Sequence, residues 1–86
     1  MSDEDIKAKI YPNPANNTVT VEIDNLEKEK TVQFSLYDIS GRLLIHNSFV
    51  EIKKTIILDN ISNGLYFYSI EINDFIVKQD KLIIIK

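Results

Sequence analysis

Short stretches in which apolar and polar residues alternate run along most of this 86-residue chain. The alternation is cleanest from Thr18 to Ile23 and from Thr31 to Asp38, and a period of two residues is typical of a strand with one buried and one solvated face. The predicted strands cover residues 6–11, 18–23, 31–38, 42–49, 55–58 and 65–72, and a return strand is predicted in two segments, residues 75–78 and 81–86. No segment predicts a helix. About seven short strands separated by turns indicate an all-β domain, an antiparallel β-sandwich.

Turn-forming residues separate these strands. Pro12 and Pro14 fix the backbone and remove two amide donors, so they predict a rigid corner that cannot belong to a sheet ladder. Asp38 can close a turn through its own carboxylate, and Gly41 can take a positive φ in the same turn. Asn73-Asp74 predicts a tight turn before the final strand.

The strand that follows Gly64 has apolar residues on both faces where it begins. One face carries Tyr66, Tyr68, Ile70 and Ile72, and the other carries Leu65, Phe67, Ser69 and Glu71. This pattern predicts a central strand that is covered on both faces at its start. In the charged loop of residues 25–30, we expect Leu26 to close the end of the core.

The chain finishes on an apolar run, Leu82 to Ile85, which lies between Lys81 and Lys86. Chain ends usually fray, but four consecutive apolar residues cannot fray without exposing an adhesive sheet edge. We therefore expect this run to be a strand docked into the sheet. Its end would still lie at the surface, where a partner could reach it.

Composition excludes several functional classes. The net charge is -3 with no basic stripe, which argues against nucleic-acid binding. No apolar run approaches the ~20 residues of a membrane-spanning helix, and the absence of cysteine removes disulfides and thiolate chemistry. The polar, acidic start of the chain does not match a signal peptide. The chain is thus expected to be cytoplasmic or, as Met1 favours, a piece of a longer precursor.

The residues offer little for catalysis. His46 is the only histidine and is expected on a strand surface, and no serine lies in a nucleophile elbow. No loop has the density of oxygen ligands that calcium requires. We expect no enzyme activity, no metal and no cofactor. An alternative function, an accessory or adhesion module that binds glycan or protein, would use Tyr37, Tyr66 and Tyr68 as an exposed platform, although core packing is the stronger expectation for these rings.

Four segments of the chain together resemble a known family. They are Tyr11-Pro12-Asn13-Pro14, Asp38-Ile39-Ser40-Gly41-Arg42, Ile61-Ser62-Asn63-Gly64-Leu65-Tyr66 and Lys81-Leu82-Ile83-Ile84-Ile85-Lys86. In this order, in a domain of this length, they resemble the type A C-terminal sorting domain of the type IX secretion system. The resemblance covers residues 11–86, with residues 1–10 as a linker remnant and first strand.

The resemblance implies an Ig-like β-sandwich at the C-terminal end of a large secreted protein of Bacteroidetes-type bacteria. Such a domain directs its upstream cargo from the periplasm through the outer membrane, for release or for anchoring at the cell surface. The type IX translocon and a sortase-like peptidase would be its partners, and the domain itself would perform no chemistry. The resemblance places translocon recognition at Lys78 and at Lys81, Leu82, Ile83, Ile84, Ile85 and Lys86. A weak dimer through an edge strand is also expected.

Overall fold

The computed structural model describes residues 7–24 and 30–86. These residues contain seven β-strands and no helix. The strands are β1 (Lys7–Tyr11), β2 (Thr18–Asp24), β3 (Val32–Tyr37), β4 (Leu43–Phe49), β5 (Lys53–Ile57), β6 (Gly64–Ile72) and β7 (Phe75–Ile84). Each predicted strand has a counterpart among them. The two predicted segments of the return, residues 75–78 and 81–86, are joined in the continuous strand β7, which ends at Ile84.

The strands form two sheets that pack face to face. One sheet has three strands in the order β1-β2-β5, and the other has four in the order β4-β3-β6-β7. All neighbouring strands pair antiparallel. The predicted antiparallel β-sandwich is therefore confirmed, and β6 lies inside its sheet as predicted.

The core lies between the sheets and is built from the apolar face of each alternating strand. Val19, Val21 and Ile23 of β2 belong to one buried cluster with Val32, Phe34 and Leu36 of β3 and the inner face of β6. The rings of Phe34 and Tyr68 stack with their centroids 6.1 Å apart and their planes 24° from parallel. In a domain this small, such rings supply a large share of the buried apolar area.

The outer face of β6 differs from its prediction. Leu65 is 42% exposed and Phe67 is 40% exposed, so the start of the strand is covered on its inner face only. Pattern alone cannot show whether a second layer packs on an apolar face, and no described element covers this one. The predicted positions of Ile6 and Leu26 lie outside the described residues.

The turns follow the local chemistry of their residues. Gly41 has φ 92° in the turn after β3, as expected for a residue without Cβ. Asn73 and Asp74 have φ 51° and 72° between β6 and β7, which is the backbone of the two-residue hairpin turn that matches strand twist. The Tyr11-Pro12 and Asn13-Pro14 peptide bonds of the proline corner are cis.

Candidate functional site

The C-terminal strand β7 is an edge strand of the four-stranded sheet. It pairs with β6 along its length, from Phe75 opposite Ile72 to Ile84 opposite Gly64. The expected docking of the terminal apolar run is therefore confirmed. The run is not buried as a whole, because its side chains alternate: Leu82 and Ile84 are fully buried, whereas Ile83 is 42% exposed and Ile85 is 57% exposed.

The outer edge of this strand is covered by the proline corner. Asn13 Nδ2 donates to the carbonyl of Lys81 at 3.0 Å, and Asn13 Oδ1 accepts from the amide of Ile83 at 3.2 Å. The amide of Ala15 donates to the carbonyl of Ile83 at 2.7 Å, and the Ala15 carbonyl accepts from the Ile85 amide at 2.8 Å. The backbone groups that an edge strand leaves open are thus satisfied from Lys81 to Ile85.

Local sequence explains how the corner reaches the strand. Prolines on both sides of Asn13 cannot donate from their backbone nitrogens, so the asparagine side chain supplies a donor and an acceptor in their place. Ala15 is 1% exposed and forms an isolated parallel bridge with Ile84. The sequence predicted the corner but not its contacts with β7. The signal that could have indicated them was Asn13, an amide side chain between two prolines.

Lys86 is held by the loop between β5 and β6. Its amide donates to Asn63 Oδ1 at 2.9 Å, and its Nζ donates to the carbonyls of Leu58 at 2.6 Å and Asp59 at 3.2 Å. A lysine that donates to carbonyl oxygens at a loop is a charge-assisted contact. The terminal lysine therefore ties the end of the chain to the segment that leads into β6.

The turn from Asp38 to Arg42 is closed by a single carboxylate, as predicted. Asp38 Oδ1 accepts from the Ser40 amide at 3.0 Å, the Ser40 hydroxyl at 2.7 Å and the Arg42 amide at 2.9 Å. Asp38 Oδ2 accepts from Arg42 Nε at 3.2 Å. These donors, the Ser40 hydroxyl first, lower the pKa of Asp38 to about 2, because they stabilise the ionised form.

The tyrosines take structural positions. Tyr66 is buried, and its hydroxyl donates to the Ser62 carbonyl at 2.6 Å, which ties the loop to the strand it precedes. Tyr68 is buried as well, and burial raises its pKa to about 12. Core packing is confirmed for these two rings. Tyr37 is half-buried on the opposite face of its sheet, so the three rings do not form one exposed platform.

Polar residues that could support chemistry are dispersed. His46 is exposed on β4 and bonds Gln33 Oε1 at 3.0 Å, so its predicted strand-surface position is confirmed. Within residues 7–24 and 30–86, no group of three or more histidine or acidic side chains could hold a metal ion. No helix in the same residues is long and apolar enough to cross a membrane.

These contacts define a small β-sandwich whose terminal strand is fastened both by the proline corner and by the loop before β6. The chain belongs to a family described as the secretion system C-terminal sorting domain, whose model matches residues 9–86. The resemblance of the four segments to this family is thereby confirmed. The chain is also 36% identical over 78 residues to an ulvan lyase of Nonlabens ulvanivorans. That alignment covers 87% of this chain and 14% of the lyase.

Membership of this family gives the function of the domain. It is a C-terminal sorting signal of the type IX secretion system, and the protein that carries it passes through the periplasm to the cell surface or the extracellular space. A sorting signal is not itself catalytic. The chain spans about one-seventh of the length of the curated relative that it matches.

Proposed function

We propose that this sandwich directs the export of a cargo domain that precedes it in the same chain. The type IX translocon would recognise the outward side chains of the C-terminal strand. The observation that supports this is that the inward side chains and the backbone edge of the terminal run are already occupied within the domain, whereas its outward side chains are exposed. Leu82 and Ile84 fill the core, while the backbone edge is occupied by Asn13 and Ala15. Recognition would then use the outward side chains of this strand, Lys81, Ile83 and Ile85.

The remaining predicted recognition residues have different positions. Lys78 lies half-buried, opposite Ile70, next to the irregular pairing where the register between β6 and β7 shifts. Lys86 already uses its amide and Nζ on the preceding loop. We propose that Lys86 contributes by holding the strand end in place, and that Leu82 and Ile84 contribute through folding alone.

Deleting residues 81–86 cannot test recognition by itself, because the deletion also removes Leu82 and Ile84 from the core. A sharper experiment replaces only exposed side chains. A reporter with a periplasmic signal peptide is fused to residues 1–86 and expressed in a host with a working type IX system. We expect the double substitution Ile83→Gln and Ile85→Gln to reduce export strongly while the melting temperature stays close to that of the parent.

Ile57→Gln is the matched control, because Ile57 is 65% exposed on the edge strand of the other sheet. It should be exported as well as the parent. Equal export of the double variant and the parent would overturn recognition through these side chains. Failure of the parent fusion to leave the periplasm would overturn the export function itself.

We also propose that a sortase-like peptidase removes the sandwich by cutting before Lys7. Residues 7–11 pair with residues 20–24 in β1 and β2, so a cut within β1 would require strand separation. Mass spectrometry of the domain released by a type IX-competent host should place the new N-terminus upstream of Lys7. A terminus within residues 8–11 would contradict this.

A weak dimer is proposed through the free edge of β4, whose other side pairs with β3. Exposed edges of this kind are prone to pair with another chain. Sedimentation at increasing protein concentration should show dimer formation, and a proline at Ser48, which faces away from the core on this strand, should abolish it. A monomer at every concentration would dismiss the proposal.

A further inference from the structure

Asparagine is followed by glycine at one place in this chain, at Asn63 and Gly64. Asparagine is among the thermally labile residues of proteins, and it is most labile before glycine because no side chain crowds the following backbone nitrogen. Both residues are exposed, and they lie where the loop between β5 and β6 passes into β6. The pair is therefore a candidate for spontaneous deamidation.

This reaction needs only water. The backbone nitrogen of Gly64 gives its proton to solvent and attacks the side-chain amide carbon of Asn63, and ammonia leaves as a cyclic succinimide closes. Water then opens the ring at either carbonyl, which yields aspartate or isoaspartate at position 63. Both products carry a new negative charge, and isoaspartate also adds one carbon to the backbone before Gly64.

The docked terminal strand holds the attacking nitrogen. Ile83 directs its amide to Asn13 and its carbonyl to Ala15, at the outer edge of β7. Because successive residues of an antiparallel strand direct their backbone groups to opposite edges, those of Ile84 point to β6, where Ile84 is paired with Gly64. Gly64 and Ile84 therefore exchange both backbone hydrogen bonds, and the proton that the reaction removes is donated to the Ile84 carbonyl.

The same end of the chain holds the group that would be attacked. The amide of Lys86 donates to Asn63 Oδ1 at 2.9 Å, and Lys86 Nζ donates to the Leu58 carbonyl at 2.6 Å. Ring closure requires the Asn63 side chain to rotate toward the following nitrogen. Both reacting groups are thus restrained by residues 84–86.

The fold has a use for each residue of this labile pair. Gly64 has a φ of 156°, a backbone conformation that residues with a side chain rarely adopt. Asn63 supplies the acceptor for the amide of Lys86. The pair is therefore part of the contact that fastens the chain end.

We infer that Asn63 is a deamidation site that the docked strand end protects and that becomes reactive when residues 84–86 leave the sheet. Isoaspartate would displace Gly64 along the strand relative to Ile84, and the pairing register could not form again in full. Modification would then keep the strand end undocked. The inference is independent of the proposed export function, since it rests on contacts within the domain.

Incubation of the 86-residue chain at mildly alkaline pH tests the inference, with peptide mapping by mass spectrometry to locate aspartate and isoaspartate. In concentrated urea, which unfolds the chain, we expect conversion chiefly at Asn63. In buffer the conversion should be at least tenfold slower. The double substitution Asn13→Ala and Lys86→Ala removes side-chain contacts of the terminal strand and leaves the core unchanged, and it should raise the rate in buffer at least threefold.

Val21→Ala is the control for a general loss of stability, because Val21 is fully buried in the other sheet. Well below its melting temperature it should convert as slowly as the parent. Asn73, which is exposed in a turn and followed by Asp74, is the internal comparison and should convert far more slowly than Asn63 in urea. Equal rates at Asn63 in buffer and in urea would overturn the protection, as would equal acceleration by Val21→Ala and the double variant. Conversion in urea that is no faster at Asn63 than at Asn73 would overturn the site itself.

Discussion

Asn13 Oδ1 accepts a hydrogen bond from the amide of Ile83 at 3.2 Å, across 70 residues of sequence. Its Nδ2 donates to the carbonyl of Lys81 at 3.0 Å, so one side chain binds two successive peptide groups of the strand edge. An amide side chain offers the same donor and acceptor as a peptide group and can occupy the place of a neighbouring strand. The proline corner therefore ends β1 and also satisfies the open backbone edge of β7.

Substituting Asn13 by alanine should destabilise the domain by about 1 to 3 kcal/mol, because two hydrogen bonds of ~0.5 to 1.5 kcal/mol each are lost. Hydrogen exchange of the Ile83 amide should accelerate, since that group becomes open to water. Denaturant unfolding and amide exchange measure the two effects. Asn16→Ala is the control, because Asn16 is exposed in the same corner and its side chain has no hydrogen bond to the described residues. Unchanged exchange at Ile83 would contradict the role of Asn13.

The two faces of β7 should respond differently to truncation. Leu82→Ala removes a fully buried side chain and should cost about 2 to 5 kcal/mol. Ile83→Ala, one residue later, removes a side chain that is 42% exposed and should cost about 1 kcal/mol or less, because less apolar area returns to water. Chemical denaturation of both variants tests the assignment. Similar losses would show that the strand is placed on the wrong face.

Tyr66 should contribute to stability in two separable ways. Tyr66→Phe removes the hydrogen bond to the Ser62 carbonyl and should cost about 1 kcal/mol. Tyr66→Ala also empties the core position and should cost about 3 to 5 kcal/mol. Tyr37→Phe serves as the control, since the Tyr37 hydroxyl has no hydrogen bond to the described residues. A melting temperature unchanged by Tyr66→Ala would refute the buried position of the ring.

The turn closed by Asp38 should weaken only in strong acid. Its pKa falls from 3.8 to about 2 in the folded protein, so the ionised carboxylate favours folding at every pH above about 3.8. That contribution is lost as the pH falls through 2, where the folded form also takes up the proton. The difference in unfolding free energy between the parent and Asp38→Asn should be constant from pH 7 to 5 and shrink below pH 4.

Urea unfolding at a series of pH values measures this difference. Asp59→Asn is the control for the loss of one negative charge, because the Asp59 side chain makes no hydrogen bond to the described residues. A difference for Asp38→Asn that stays constant down to pH 2 would show that the carboxylate does not hold the turn.

The sequence by itself determined the strands, their buried faces and the turns between them. A period of two residues assigns Val19, Val21 and Ile23 to one face wherever β2 lies, because successive side chains point to opposite sides of any strand. Asp38 and Gly41 likewise close their turn with local contacts alone. The four family segments could also be recognised from the sequence, because each is a short run of consecutive residues.

Only the tertiary structure decided which strands are neighbours and what the turns contact. Alternation does not specify whether an apolar face is covered, so the exposed start of β6 at Leu65 had no signature in the sequence. The contacts of Asn13 with Ile83 and of Lys86 with Leu58 join residues 70 and 28 positions apart. Such pairs form because the packing of two sheets brings their ends together, and no local preference of either residue encodes the meeting.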